Sequence, residues 1–494
     1  MNRMPTTSDA PRFSRPSAPG TPPPARLAPP QEKELLRPDL ERPTVDVRPG
    51  APHLPKFVTE AQASAPRLRF EFLDGLRGLA ALYVVLFHME VQFPDNNPFL
   101  PPLLRALVNL TRYGHYAVTV FIVLSGFCLM LPVARSAEGQ LRGGVWQYIK
   151  RRAWRILPPY YAALGVALLL PILPHLLAMA VHALHHKPPM NALAFLGWNA
   201  ALLRNLALHI FVAHNLFKAS SGTINPPLWS VGLEWQIYFL LPALLLPLWR
   251  RAGVFGLVVA AYALGVAPHF LLPRSINLDW TCPWYVGVFA LGMAGAIIAS
   301  AQTGMRTYAV RNAPWGIISG LLFAALAVLA IVHTDWLCGT AFLWATDLLA
   351  GCATVALILH CARAAQVAHV TGHRAGVLTL LEAPKLLRLG GFSYSLYLVH
   401  GPVVNLLKFM ITCFHMSGTW QVALEFMLGL PLSLAAGWLF YRLVEQRFTQ
   451  APVPVTKGLV PAWLAARPSQ EIKTLVPSRL PTMPQAAAEV SVSQ

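Results

Sequence analysis

An all-α, polytopic integral membrane protein with about ten transmembrane helices is the fold class this 494-residue sequence predicts. Three observations carry the prediction. Hydrophobic residues make up 55% of the chain, and only 12% are Asp, Glu, Lys or Arg, about half the charge density usual in soluble proteins. Apolar windows of roughly the twenty residues needed to cross a bilayer recur along the chain, separated by short basic loops. The formal net charge of +18 comes from 39 Lys and Arg against 21 Asp and Glu. Nucleic-acid binding does not explain it, because the excess is scattered between apolar segments and not gathered into a basic domain with interleaved aromatics. It reads as topology, since Lys and Arg collect in the cytoplasmic loops of inner-membrane proteins.

Taken in order, residues 1–68 hold 15 of the 44 prolines and show no apolar period, so they bury too little surface to offset the entropy of ordering. They are expected to form a disordered cytoplasmic tail. No apolar stretch with a small-residue cleavage site follows the first basic residues, so a signal peptide is not expected. The membrane domain is expected over 69–448, followed by a second disordered cytoplasmic tail, 449–494, rich in Pro, Ala and Ser. Spans are expected near 73–92, 114–133, 156–176, 229–249, 253–272, 282–301, 314–333, 340–361, 392–414 and 420–444. An eleventh apolar segment, 192–213, is demoted by charge. The basic loops around Arg151 and Arg250 both belong inside, spans 156–176 and 229–249 already supply two crossings between them, and an even number is required. It is expected to be an outward-side interfacial or re-entrant helix, and both termini are then cytoplasmic.

The six cysteines, at 128, 282, 338, 352, 361 and 413, show no metal-ligand spacing, and no metal site is expected. Cys282 and Cys338 both fall near the outer face, and whether they pair stays open. His182, His185, His186, His209 and His415 are read as surface residues.

Ionisable residues inside spans are costly, which makes each a candidate for function. In FLDGLRGLAALYVVLFHMEVQF, Arg77 and His88 are eleven residues apart and return to nearly the same helix face, roughly 16 Å apart along the axis. Alone, each has a plain reading: a snorkelling anchor for Arg77 and a satisfied core histidine for His88. FIVLSGFCLM offers Ser125, beside Gly126, where close helix packing is the competing explanation. RRAWRILPPYY sets Arg151, Arg152 and Arg155 on one side of a short helical turn, a good phosphate site because guanidinium groups bind phosphate oxygens bidentately. The topology signal alone would also produce such a cluster. Pro158 and Pro159 are expected to mark the entry to the third span. INPPLWSVGLEWQIYFLLP places Ser230, Glu234 and Tyr238 on one stripe at i, i+4, i+8. GGFSYSLYLVHGPVV does the same for Ser393, Tyr397 and His400 at i, i+4, i+7.

Together these segments resemble acyltransferase family 3, the integral-membrane O-acyltransferases. The resemblance rests on the R-x10-H pattern of Arg77 and His88 within LDGLRGLAALYVVLFH, FIVLSGF, RRAWRILP, PLWSVGLEWQIYFLLP and FSYSLYLVH, in that order over about three-quarters of the chain. It implies a ten-span core that takes an acyl group, commonly acetyl from acetyl-CoA, and passes it to a hydroxyl of a carbohydrate or glycan outside. No soluble hydrolase-like domain is expected after the spans. On this reading acyl-CoA is the donor, His88 is the base and Glu234 orients His88 or holds its charge; transfer is either direct or by way of an acyl group first taken covalently by His88 or a serine. Arg77, Arg151, Arg152 and Arg155 bind the donor's phosphates and pantetheine arm. That arm is long enough to carry the thioester deep into the bundle, which accounts for the offset between Arg77 and His88. Ser125, Ser230, Tyr238, Tyr397 and His400 line the pocket or donate to the oxyanion. The expected partners are acyl-CoA, a glycan acceptor and membrane lipid, with no nucleic acid. The rival is a transporter or flippase in which the buried Arg, His and Glu form a relay. The arginine triad beside a His-bearing span, and the lack of a visible internal repeat, favour the enzyme.

Overall fold

The computed structural model describes residues 70–90, 101–170, 172, 200–273, 276, 278–301, 310, 312–339, 341–374, 376–413 and 418–449. The amino-terminal tail and residues 450–494 lie outside them, as do His182, His185, His186 and His415.

Among the described residues every regular element is helical. The chain runs through α1 (Phe72–Glu90), α2 (Pro102–Thr111), α3 (His115–Ala134), α4 (Gly144–Leu169) and α5 (Ala200–Ile210). Helix α6 (Leu228–Leu240) passes through a π turn, Leu241–Leu245, into α7 (Leu246–Leu271). Then come α8 (Tyr285–Ser300), α9 (Trp315–Val332), α10 (Leu343–Thr371), α11 (Pro384–Gly391), α12 (Ser393–Cys413) and α13 (Gly418–Phe440), the last continuing into a second π turn, Tyr441–Glu445.

Each of the ten expected windows carries a helix. By length and composition, seven described segments are long and apolar enough to cross a membrane. One of them, 228–271, holds two of the expected spans, because Gly253 at φ 69°, ψ −168° breaks it. Helices α4 and α12, of 26 and 21 residues, are also long enough to cross but more polar. With no water in the bilayer core, helices are the form in which these segments satisfy their own backbone groups. The outward side chains of α9, such as Ile317, Leu321 and Ile331, are accordingly apolar and exposed.

Two local expectations are corrected. Helix α4 does not begin at Pro158 and Pro159 but runs through them from Gly144. The prolines withhold two N–H donors and leave the Trp154 and Arg155 carbonyls without helical partners. On the same stretch, the Tyr394 hydroxyl donates to the Ile156 carbonyl at 3.1 Å. Arg151, Arg152 and Arg155 therefore stand on the extension of a spanning helix and not in a loop. His209, expected at the surface, is fully buried. Its ring stacks on that of His214 with centroids 4.0 Å apart, and Tyr160 and Tyr161 of α4 donate to the His209 and Ile210 carbonyls at 2.9 and 2.7 Å. Tyr161 thereby satisfies the Ile210 carbonyl at the end of α5, while the His209 carbonyl also accepts from Val212 N at 3.1 Å. Of the demoted segment 192–213, residues 192–199 lie outside the described residues, and α5 is described from Ala200 to Ile210. Cys282 is a free, buried thiol, and the side chain of Cys338 lies outside the described residues.

A close helix contact joins α3 and α8. A Cβ on Gly126 would collide with the Phe289 carbonyl oxygen, and one on Gly292 with the Val123 carbonyl oxygen. Only two hydrogens separate the backbones there, the close approach that small residues permit between membrane helices. Gly126→Val or Gly292→Val is expected to destabilise the protein by about 1–3 kcal/mol or more. Gly320→Val, where a Cβ meets nothing within 4 Å, serves as the control. Thermal unfolding in detergent checks this: equal melting temperatures for all three variants would show that the contact does not limit packing.

Candidate active site

A cavity of about 1210 Å³ opens at the arginine-rich end of the bundle, among α1, α3, α4, α6, α12 and the second π turn. One wall is cationic. Arg142, Arg151, Arg152 and Arg155 come from α4 and the turn before it, and Arg77 from α1. The Arg77 guanidinium is fixed by Asp74 Oδ1 at 2.7 Å and by Cys128 Sγ at 3.0 Å. Arg151 donates to the Arg142 carbonyl at 2.7 Å. Two donors on this wall are buried without a partner among the described residues: Arg152 Nε and the hydroxyl of Tyr148, a residue 3% exposed. They lie four residues apart, on one face of α4.

Deeper in, two hydroxyl pairs line the cavity. The Tyr238 hydroxyl donates to Glu234 Oε1, and Ser125 Oγ lies 3.2 Å from the same hydroxyl. Ser230 Oγ lies 2.5 Å from the Tyr397 hydroxyl, which donates to the Pro227 carbonyl at 2.9 Å. With the Tyr397 proton on that carbonyl, Ser230 is the donor within the pair.

Behind Tyr397 sits a pair of histidines. The Tyr397 and His400 rings are 5.8 Å apart, and the His400 and His88 rings 4.8 Å apart. His88 Nδ1 is 2.9 Å from the Val84 carbonyl, His400 Nδ1 is 3.1 Å from the Leu396 carbonyl, and His400 Nε2 is 3.3 Å from His88 Nδ1. A carbonyl only accepts, so each Nδ1 carries a hydrogen. The single His88 Nδ1–H is then shared between the Val84 carbonyl and His400 Nε2, and the lone pair of His88 is left on Nε2. The pair fixes His88 as a neutral base with a defined tautomer.

Nine of the eleven residues singled out in the sequence line this cavity: Arg77, Arg151, Arg152, Arg155, Ser125, Ser230, Glu234, Tyr238 and Tyr397. His88 and His400 do not; they form the layer behind it. Among the described residues no hydrogen bond joins Glu234 to His88. His88 occupies the last turn of α1, whereas Glu234 lies six residues into α6, about 9 Å along the axis from its start, and its hydrogen-bond partner is Tyr238. Sequence reading missed Tyr148 and Glu445. Tyr148 is signalled by its i, i+4 relation to Arg152. Glu445 lies within the second π turn, lines the cavity and accepts from Ser395 N at 3.1 Å and Ser395 Oγ at 2.5 Å. A single acid in the basic run YRLVEQR looks like a surface residue, so its burial had no sequence signal.

Comparison with known proteins agrees with this geometry. Residues 70–442 match the family of acyltransferase domains. The chain is 27% identical over 367 residues to the acyltransferase MdmB of Streptomyces mycarofaciens, covering 69% of this chain and 80% of that one. It is 33% identical over 105 residues to protein 2 in the picA locus of Rhizobium radiobacter, covering 21% of this chain and 47% of the relative. No solved structure matches.

Proposed function

Because the chain belongs to the acyltransferase family, whose domain it matches over residues 70–442, we propose that it takes an acyl group, acetyl foremost, from cytoplasmic acyl-CoA and passes it to a hydroxyl of a carbohydrate or glycan outside the inner membrane. The observation that carries this reading is the cationic wall with two buried donors left open, the Tyr148 hydroxyl and Arg152 Nε. Buried polar groups are ordinarily hydrogen-bonded. A polyanionic donor supplies the missing acceptors, and guanidinium groups meet its phosphate oxygens in charge-assisted bonds.

In this reading Arg77, Arg151, Arg152 and Arg155 anchor the phosphates, and the pantetheine arm extends along Ser125, Tyr238 and Glu234 toward the histidines. His88 Nε2 removes the proton of the acceptor hydroxyl as that oxygen attacks the thioester carbonyl, and the CoA thiolate leaves. His400 accepts the His88 Nδ1–H and holds the ring in place. Ser230, joined to the histidine layer through Tyr397, turns its one proton from the Tyr397 hydroxyl to the oxyanion as that charge forms. Glu234 fixes Tyr238 and takes no part in the proton transfer.

Two measurements test the reading. Purified protein given acetyl-CoA is expected to release CoA thiol, and envelope glycans from cells carrying the gene are expected to yield a base-labile acid that cells without it lack. Protein that releases no thiol and cells whose ester content is unchanged would return the chain to the relay alternative.

A further inference from the structure

A second polar cluster lies outside this cavity, at the opposite end of the bundle. Asp347 of α10 is completely buried. One of its oxygens accepts from Thr119 Oγ1 at 2.6 Å; the other accepts from Trp284 Nε1 at 2.8 Å and from His115 Nε2 at 3.0 Å. The Tyr285 hydroxyl stands 3.0 Å from the same imidazole nitrogen. With its Nε2–H directed at Asp347, His115 carries its lone pair on Nδ1, and that atom has no hydrogen-bond partner among the described residues. The side chain is 21% accessible. A carboxylate that orients one imidazole nitrogen and leaves the other open is an arrangement for presenting a hydrogen-bond acceptor and base.

The surroundings give this nitrogen a substrate. The ring of Trp229 lies parallel to His115, 5° between planes and centroids 6.3 Å apart, and it is only partly buried. Trp229 directly precedes Ser230, whose hydroxyl meets Tyr397 in the cavity wall. On the other side, a Cβ on Gly114, just before His115, would strike the side chain of Phe87, just before His88. Helices α1 and α3 thus meet at this end of the bundle, at the residues just before His88 and His115. An aromatic face beside a fixed hydrogen-bond acceptor suits a molecule with both C–H faces and several hydroxyls.

We infer that His115 Nδ1 and the Trp229 ring form an acceptor subsite that holds one hydroxyl of a polyhydroxylated acceptor while His88 deprotonates another. The inference rests on the acyl-CoA reading above and assigns Asp347 as the residue that positions His115. His115→Gln separates it from a structural role, since glutamine keeps an N–H for Asp347 and leaves no acceptor where Nδ1 stands. Membranes of the native host, which contain the natural acceptor, are supplied with labelled acetyl-CoA, and purified full-length protein is assayed for release of CoA thiol to water. The variant is expected to transfer label about tenfold less or lower still, while its hydrolysis of acetyl-CoA and its KM for acetyl-CoA stay within about twofold, because water needs no subsite. Transfer within twofold of the wild type overturns the subsite, as does a parallel loss of hydrolysis and transfer. A wild-type protein that releases no thiol overturns the donor reading first, and the subsite with it.

Discussion

His88→Ala is expected to lower acyl transfer by roughly 10²- to 10⁴-fold, the usual worth of a positioned acid–base group. The protein is expected to melt as the wild type does, because the hydrogen bond that fixes the ring also occupies only His400 and one main-chain carbonyl. The argument depends on the tautomer. If His400 holds the proton of His88 on Nδ1, a residue at 400 that still accepts will preserve the base. His400→Gln retains an acceptor and is expected to keep most activity; His400→Leu removes it and is expected to lose about tenfold. The initial rate of CoA thiol release at saturating acetyl-CoA, measured with detergent melting curves for each variant, checks all three. Activity in folded His88→Ala within tenfold of the wild type would assign the proton transfer to another group.

The paired change Arg152→Gln and Arg155→Gln should have the next largest effect, on binding and not on chemistry. Hydrogen bonds to charged groups are each worth about 1.5–3 kcal/mol, so loss of two phosphate contacts is expected to raise the KM for acetyl-CoA by about 10² or more with kcat little changed. A rise in KM alone marks an interaction equally strong in ground and transition states, as expected for groups on the cavity wall far from the histidine layer. A fall in kcat at unchanged KM would mean instead that the arginines serve the histidine end.

The span pattern was legible because membrane helices announce themselves by apolar length, and each window from 73–92 to 420–444 coincides with a helix. Most of the cavity was legible too, because Ser230, Glu234 and Tyr238, like Arg151, Arg152 and Arg155, come from single helices whose period can be counted. What stayed hidden were partnerships between distant helices. His88 and His400 are 312 positions apart, and His115 and Asp347 are 232 apart, so no local pattern joins them. Glu234 was assigned to His88 because both are ionisable groups inside spans, but depth along the bundle decides the pairing, and Tyr238, one turn on, was the nearer donor. The start of α4 was misplaced for a related reason. A double proline is a strong local stop signal, and packing around the helix overrode it.

That double proline also has a mechanical consequence. Tyr148, Arg151, Arg152 and Arg155 line the cavity, whereas Tyr160 and Tyr161 hold the end of α5. The two missing backbone hydrogen bonds fall between these groups, where α4 resists bending least. Bending at the prolines therefore moves the arginine-bearing part of the helix without carrying the tyrosines with it. The shape of the cavity wall is in this way uncoupled from the stacked histidines, His209 and His214, at the end of α5.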